Sequence, residues 1–134
     1  MPLLLVLEDS PPERRVAAQV SRSAGFDELE VSGTPNDIKA YLAKALEGKV
    51  PLPDAMLVDL ALGYDSGFEV LRFWRSNPRL KGIPVVVWTR ARDTQLEICR
   101  YFGVQEVVSK DDDPNVLRAA LANTIAGQGT TAAN

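Results

Sequence analysis

The amino-acid sequence predicts an α/β domain with a five-stranded parallel sheet that is covered by helices on both faces. Five short apolar segments alternate along the chain with five segments of helical character, and the connections between them are short. The apolar segments are continuous and lack the alternating polar residues of a half-exposed strand. Because parallel strands are joined by crossover helices that cover both faces of a sheet, this pattern favours a doubly wound fold with strand order 2-1-3-4-5.

The first half of the chain provides three predicted strands and two predicted helices. Ser10 can cap the first helix, Pro11 suits its first turn, and Glu13 stands where a capping-box acid is expected. Thr34, followed by a proline, opens the second helix in the same way. The three strands are Leu3–Leu7, 29–32 and Ala55–Val58.

The second half provides the remaining strands and helices. The predicted strands are 84–89 and 104–109, and 60–66 is predicted to be a loop. The predicted helices are 67–76, Asp93–Phe102 and a segment from Pro114 to about Ile125, with Asp113 as the cap of the last one. The domain therefore spans 1–126, and the small, polar residues 127–134 are expected to form a flexible C-terminal tail.

Composition excludes several classes of function. The chain has no histidine and one cysteine, so Ser-His and Cys-His nucleophile pairs are impossible and a zinc site is disfavoured. A net charge of −3 with no basic stripe argues against nucleic-acid binding and against an acidic membrane surface. The absence of a disulfide pair and of a long apolar run suits a cytoplasmic protein. Any chemistry must use carboxylates, hydroxyls and amines.

Reactive side chains follow four of the five predicted strands. Glu8 and Asp9 follow the first strand, Asp59 follows the third, Thr89 ends the fourth, and Lys110 follows the fifth. Taken singly, each is most simply a loop or surface residue. In a doubly wound sheet, however, the carboxyl ends of the strands meet at one edge, where ligands bind. The fold therefore gathers three carboxylates, a hydroxyl and an amine in one place.

This combination suits metal-assisted phosphoryl transfer. Three carboxylates at close range repel one another and need a cation, and a small set of oxygen ligands favours Mg²⁺. A carboxylate can attack phosphorus, while an ammonium group and a hydroxyl stabilise charge on the transferring oxygens. Asp59 is the central candidate, because the third strand lies in the middle of the predicted sheet.

Four motifs in order make the chain similar to a known family. They are LLVLEDS at 4–10, LVDL at 57–60 with Gly67 eight residues beyond Asp59, IPVVVWT at 83–89, and VSK at 108–110. The chain resembles bacterial two-component response-regulator receiver domains of the single-domain, chemotaxis-regulator-like kind, over residues 3–126. The spacings of 30 residues from Asp59 to Thr89 and 21 from Thr89 to Lys110 look like those of the family.

The resemblance implies a flavodoxin-like (βα)5 fold and a role for each motif residue. Those roles are phosphoacceptor for Asp59, switch hydroxyl for Thr89, phosphate-pairing lysine for Lys110, and metal ligation by Glu8, Asp9, Asp59 and the backbone carbonyl of Ala61. Mg²⁺ is the implied cofactor, with Mn²⁺ able to replace it. The implied partners are a sensor histidine kinase or phosphotransfer protein and a downstream protein, with the chain a monomer or homodimer. Such a domain catalyses its own phosphotransfer and slow autodephosphorylation.

The chain departs from the family pattern at four positions. Gly63 replaces a usual proline, and Asp111 replaces the proline that usually follows the lysine. Arg90 replaces a small residue after the switch threonine, so we expect it to restrict access to Asp59. Val107 stands where an aromatic switch residue is usual, and its stiff, short side chain cannot swing between core and solvent.

Three alternatives compete with the receiver interpretation. An aspartate-nucleophile phosphatase needs a second acid at position 61, where the chain has Ala61. A flavodoxin-like cofactor binder needs a phosphate-cradling loop after the first strand, but residues 8–12 read EDSPP. A pseudo-receiver that serves only as a protein-docking module stays open, because the departures affect output without removing the site.

Overall fold

The computed structural model describes residues 1–62, 65–90, 93–104 and 106–133. These residues form seven strands and six helices. The strands are β1 (Leu3–Leu7), β2 (Glu28–Ser32), β3 (Ala55–Val58), β4 (Ala61–Leu62), β5 (Asp65–Ser66), β6 (Val85–Thr89) and β7 (Glu106–Ser109). The helices are α1 (Pro11–Ala24), α2 (Pro35–Leu46), α3 (Phe68–Ser76), α4 (Pro78–Lys81), α5 (Asp93–Phe102) and α6 (Pro114–Ala133).

Five strands form one parallel sheet in the order β2-β1-β3-β6-β7. Counted without the two short strands β4 and β5, this is the predicted order 2-1-3-4-5, so the predicted fold class is confirmed. The continuous apolar runs are explained by burial on both faces. Leu5 and Leu7 of β1 lie in one hydrophobic cluster with residues of α2 and α3, whereas Leu4 and Val6 lie in a second cluster with residues of α1 and α6.

Three segments differ from the sequence prediction. Residues 61–66, predicted as a loop, contain the short antiparallel pair β4-β5. After α3, Asn77 caps the additional helix α4: its side-chain oxygen accepts a hydrogen bond from the Arg79 amide at 2.9 Å, and Pro78 occupies the first helical position.

The backbone of α6 is helical as far as Ala133, well beyond the predicted end near Ile125. A helix that has formed gains one hydrogen bond for each residue added, so it can continue through residues of low propensity. A helical backbone does not measure motion, so the flexibility of residues 127–134 stays a prediction. Within the described ranges, no helix has both the length and the apolar character that crossing a membrane requires.

Candidate functional site

The sheet register brings the predicted site residues together at the carboxyl ends of the strands. Leu7 of β1 is paired with Val58 of β3, so the next residues, Glu8 and Asp59, are neighbours. The Asp59 amide donates to the Leu7 carbonyl at 3.1 Å. The hydrogen bonding of the sheet therefore continues as far as Asp59, the candidate phosphoacceptor. On the other side, the Lys110 amide donates to the Thr89 carbonyl at 3.1 Å.

The Lys110 ammonium lies at the centre of this group. Its side chain is only 4% exposed and its Nζ is hydrogen-bonded to Glu8 Oε2 at 2.7 Å, to Asp59 Oδ2 at 2.9 Å and to Glu13 Oε2. The ring of Trp88 lies beneath it, with its centroid 5.0 Å from Nζ. Because an ammonium group has three N–H donors, every donor of Lys110 has a carboxylate acceptor.

The charges in the site do not balance, since two cationic groups, Lys110 and Arg90, face three carboxyl groups. Burial raises the pKa of Glu8 to about 7, although hydrogen bonds from Lys110 and the Ser10 amide oppose the shift. Burial also disfavours ionisation of Glu13, but hydrogen bonds from Lys110 and Arg90 outweigh it and lower the pKa of Glu13 to about 2. Burial disfavours the charged Lys110, yet its carboxylate partners raise the pKa of that ammonium group. The excess negative charge favours an additional cation.

Three of these carboxylates are close enough to share a metal ion. Glu8, Glu13 and Asp59 each offer an oxygen, and these oxygens lie within 4.8 Å of one another. An all-oxygen set of this kind fits a hard divalent ion. Asp9, a predicted ligand, is exposed and does not belong to this group in the described structure. The structure therefore gathers Glu8 with Asp59 as predicted, and it adds Glu13.

Thr89 and Asp59 have the environment expected for a site that receives a ligand. Thr89 is 2% exposed, and its Oγ1 has no hydrogen-bond partner among the described residues. A buried hydroxyl without a partner carries a desolvation cost and calls for an explanation. Asp59 Oδ1 accepts a hydrogen bond from the Ala61 amide at 3.2 Å, which orients the carboxylate.

Gly67 is required by the close approach of two backbone segments. Its amide donates to the Leu60 carbonyl at 3.1 Å, and a Cβ at this position would overlap the carbonyl oxygen of Asp59. Only glycine lets the start of α3 lie directly against the backbone of Asp59. The spacing of Gly67 from Asp59 in the sequence motif therefore has a steric cause.

Of the other positions singled out in the sequence, Arg90 contacts one of the clustered carboxylates, that of Glu13, whereas Val107 packs against the hydrophobic core. Arg90 is 58% exposed; its Nη1 pairs with Glu13 Oε1 at 2.6 Å and its Nε with Asp111 Oδ1 at 3.4 Å. Val107 is paired with Val87 in the sheet and is half-buried against the core. Gly63 lies outside the described residues.

Sequence reasoning missed Glu13. Its position after Ser10 and Pro11 was explained by a capping box, but the Ser10 side chain makes no cap hydrogen bond. Instead, the Glu13 carboxylate turns to Lys110 and Arg90. The sequence offers no separate signal for this role, because an acid in the first turn of a helix is equally well explained by the helix dipole.

Comparison with known proteins gives a consistent result. No protein-family model matches the chain. The response regulator Rcp1 of Synechocystis sp. is 34% identical over 101 residues, which cover 74% of this chain and 69% of Rcp1. The two-component response regulator ORR1 of Oryza sativa subsp. indica is 30% identical over 129 residues, and the match covers 90% of this chain but only 56% of ORR1.

Solved structures agree with these relatives. The Mn²⁺-bound form of Rcp1 has a TM-score of 0.77 and 27% identity, with 92% of this chain and 91% of that chain covered. The bacteriophytochrome response regulator AtBRR has a TM-score of 0.75 and 25% identity, with 92% of each chain covered. With its sheet order, its flavodoxin-like architecture and a relative matched over more than two thirds of its length, the chain belongs to the response-regulator family and has the fold of its receiver domain.

Proposed function

We propose that Asp59 accepts a phosphoryl group from a phosphohistidine on a sensor kinase or phosphotransfer protein. One observation carries the proposal. Asp59, buried after the end of β3, is held by Lys110 at 2.9 Å, at the same sheet edge as the Thr89 hydroxyl, which has no hydrogen-bond partner among the described residues. A buried carboxylate in contact with an ammonium group, and a hydroxyl at the same sheet edge, are groups that phosphoryl transfer requires.

In the transfer step, a carboxylate oxygen of Asp59 forms a bond to phosphorus. The bond between phosphorus and the donor imidazole nitrogen breaks, and that nitrogen keeps the electron pair. Lys110 Nζ lies where it can donate to one transferring oxygen, and Thr89 Oγ1 can donate to another without losing an existing hydrogen bond. Because both donors are buried, their electrostatic effect is stronger than in water.

The carboxylates of the site suit a divalent cation, and we assign Mg²⁺ to them. Glu8 and Asp59 supply oxygens from buried positions, and Glu13 lies within reach. The family resemblance adds Asp9 and the carbonyl of Ala61 as further ligands. A divalent ion bound there neutralises charge on phosphoryl oxygens. The relative Rcp1 was solved with Mn²⁺, which supports a divalent ion at this site.

The test is the intact mass of the protein after incubation with acetyl phosphate and Mg²⁺. One added phosphoryl group is expected in the wild type and none in Asp59→Asn. Asp112→Asn is the matched control, because Asp112 is an exposed acid in the loop before α6. Excess EDTA is expected to prevent the addition.

The outcomes separate the proposals. Undiminished labelling of Asp59→Asn would refute the assignment of the acceptor, and full labelling in EDTA would refute the metal requirement. A folded wild type that takes up no phosphoryl group from small donors or from phosphohistidine would favour the protein-docking alternative.

A further inference from the structure

Glu13 connects the buried Lys110 with the exposed Arg90. We infer that Glu13 is a positioning residue: it holds Lys110 and Arg90 in the unphosphorylated protein and is displaced from Lys110 when a phosphoryl group arrives on Asp59. The inference rests on the proposed function of Asp59. The three residues Glu13, Lys110 and Arg90 are called the Glu13 bridge below.

The Lys110 ammonium group has no spare donor. Its three N–H groups are all used, by Glu8, Asp59 and Glu13. A phosphoryl oxygen on Asp59 needs a donor from the same ammonium group. One of the existing carboxylate contacts must therefore give way.

Burial and anchoring indicate which contact is lost. The side chains of Glu8 and Asp59 are 1% and 5% exposed, whereas that of Glu13 is 21% exposed. The other oxygens of Glu8 and Asp59 accept from backbone amides, those of Ser10 and Ala61, which are fixed in place. The other oxygen of Glu13 is held by the exposed side chain of Arg90, which can move with it. Glu13, in the first turn of α1, is the most exposed of the three and is the carboxylate that can leave most easily. The added negative charge of the phosphoryl group repels it as well.

The consequence reaches the surface through Arg90. Arg90 joins Glu13 of α1 to Asp111, so the Glu13 bridge connects the first turn of α1 with the segments that follow β6 and β7. When Glu13 leaves Lys110, the contact of 2.6 Å between Glu13 and Arg90 is altered. Arg90 retains its longer contact of 3.4 Å to Asp111. Because Arg90 is 58% exposed, a partner protein can contact it directly.

The affinity for Mg²⁺ distinguishes this positioning role of Glu13 from a role as a metal ligand. Loss of a ligand should weaken Mg²⁺ binding at least as much as loss of an outer-shell partner, which costs about tenfold or more. Loss of the Glu13 bridge should change Mg²⁺ affinity less than about threefold, in the range of partly exposed charge interactions.

The experiment compares the wild type with Glu13→Gln, with Arg90→Gln, which breaks the Glu13 bridge from the exposed side, and with Glu47→Gln as control. Glu47 forms an exposed ion pair with Lys49 at 2.8 Å. Side-chain ¹⁵N NMR of Arg90 Nε and Lys110 Nζ is recorded without donor. Beryllofluoride, an analogue of the aspartyl phosphate, is then titrated in the presence of Mg²⁺.

Glu13→Gln is expected to shift the Arg90 and Lys110 signals in the resting protein. In the wild type, beryllofluoride should move the Arg90 signal in the same direction. Glu13→Gln should bind beryllofluoride about three- to fivefold more tightly, because a competitor for Lys110 is weakened. Arg90→Gln leaves the Glu13 carboxylate on Lys110 and should bind beryllofluoride no more tightly than the wild type does. Glu47→Gln should behave as the wild type does.

Unchanged Arg90 and Lys110 signals in resting Glu13→Gln, or weaker beryllofluoride binding together with a tenfold loss of Mg²⁺ affinity, would overturn the inference. Beryllofluoride binding that leaves Arg90 unmoved in the wild type would also overturn it while preserving the proposed function. Failure of beryllofluoride to bind the wild type at all would overturn both.

Discussion

Two buried hydroxyls of the described chain lack a hydrogen-bond partner, and they lie in very different regions. Ser21 is on the face of α1 that is buried with Ala17 and Val20. Those neighbours share an apolar cluster with Leu117 of α6. Thr89 ends β6 at the sheet edge where Lys110 contacts its three carboxylate partners.

The difference shows how the same local defect can have two meanings. An unpartnered buried hydroxyl costs about 1–3 kcal/mol wherever it lies. Ser21 is fully buried beside residues of an apolar cluster, so the fold carries the cost. At Thr89, in the function we propose, an oxygen of the phosphoryl group on Asp59 accepts the hydroxyl hydrogen. The predictions below test this distinction, from the largest expected effect to the smallest.

The stability of the protein should depend strongly on Lys110, which lies at the carboxyl edge of the sheet. Lys110→Met leaves Glu8 and Asp59 buried without their cation, and breaking a buried pair costs about 3–5 kcal/mol. We expect a loss of about 3 kcal/mol in the free energy of unfolding without divalent ions, because Glu8 can take up a proton. Chemical denaturation measures it. Lys49→Met, which removes an exposed pair with Glu47, should cost about 1 kcal/mol or less. Equal losses in the two variants would remove the contrast between edge and surface.

Thr89→Ala should affect rate and leave stability intact. Removal of one donor to developing charge costs roughly 10²–10³-fold in enzymes that stabilise an oxyanion, and the lower figure is expected here because Lys110 remains. Phosphoryl uptake from acetyl phosphate, followed by intact mass, should therefore slow by about 10²-fold. The free energy of unfolding should stay constant or rise, because an unsatisfied hydroxyl is removed. A large loss of stability with an unchanged rate would mean that Thr89 is a structural residue.

The response to the phosphoryl group should lie in loops of the same edge. Val107 is half-buried against the core and has no ring to swing. Chemical-shift changes on adding beryllofluoride and Mg²⁺ are therefore expected at Arg90 and residues 111–113, with small changes at Val107. Large changes centred on Val107 with quiet flanking loops would contradict this account of the output.

The sequence could predict the sheet and most of the residues at its functional edge because short apolar runs alternate with helical segments along the chain. Continuous apolar runs identified the central strands, and the fold then placed Glu8, Asp59 and Lys110 together. The hairpin β4-β5 was missed because its paired strands are two residues long and leave no alternating pattern. Glu13 was missed because its role depends on the rotamer of one side chain in the first turn of α1, and helix capping explains the same residue.

The smallest expected effect concerns Ser21, in the region without charges. Ser21→Ala removes an unsatisfied buried hydroxyl and introduces the best helix former, but it also loses the packing contacts of the fully buried oxygen. Because these effects oppose each other, the free energy of unfolding should rise by only about 0.5–1 kcal/mol. Ser23→Ala is the matched control, because Ser23 is exposed on the same helix and reports the gain in helix propensity alone. Urea denaturation with an unchanged m-value measures both variants. The excess gain of Ser21→Ala over Ser23→Ala is the net benefit of removing the unsatisfied hydroxyl, and phosphoryl uptake should stay at the wild-type rate. A clear loss of stability in Ser21→Ala would mean that this hydroxyl is satisfied in solution, and the contrast with Thr89 would then disappear.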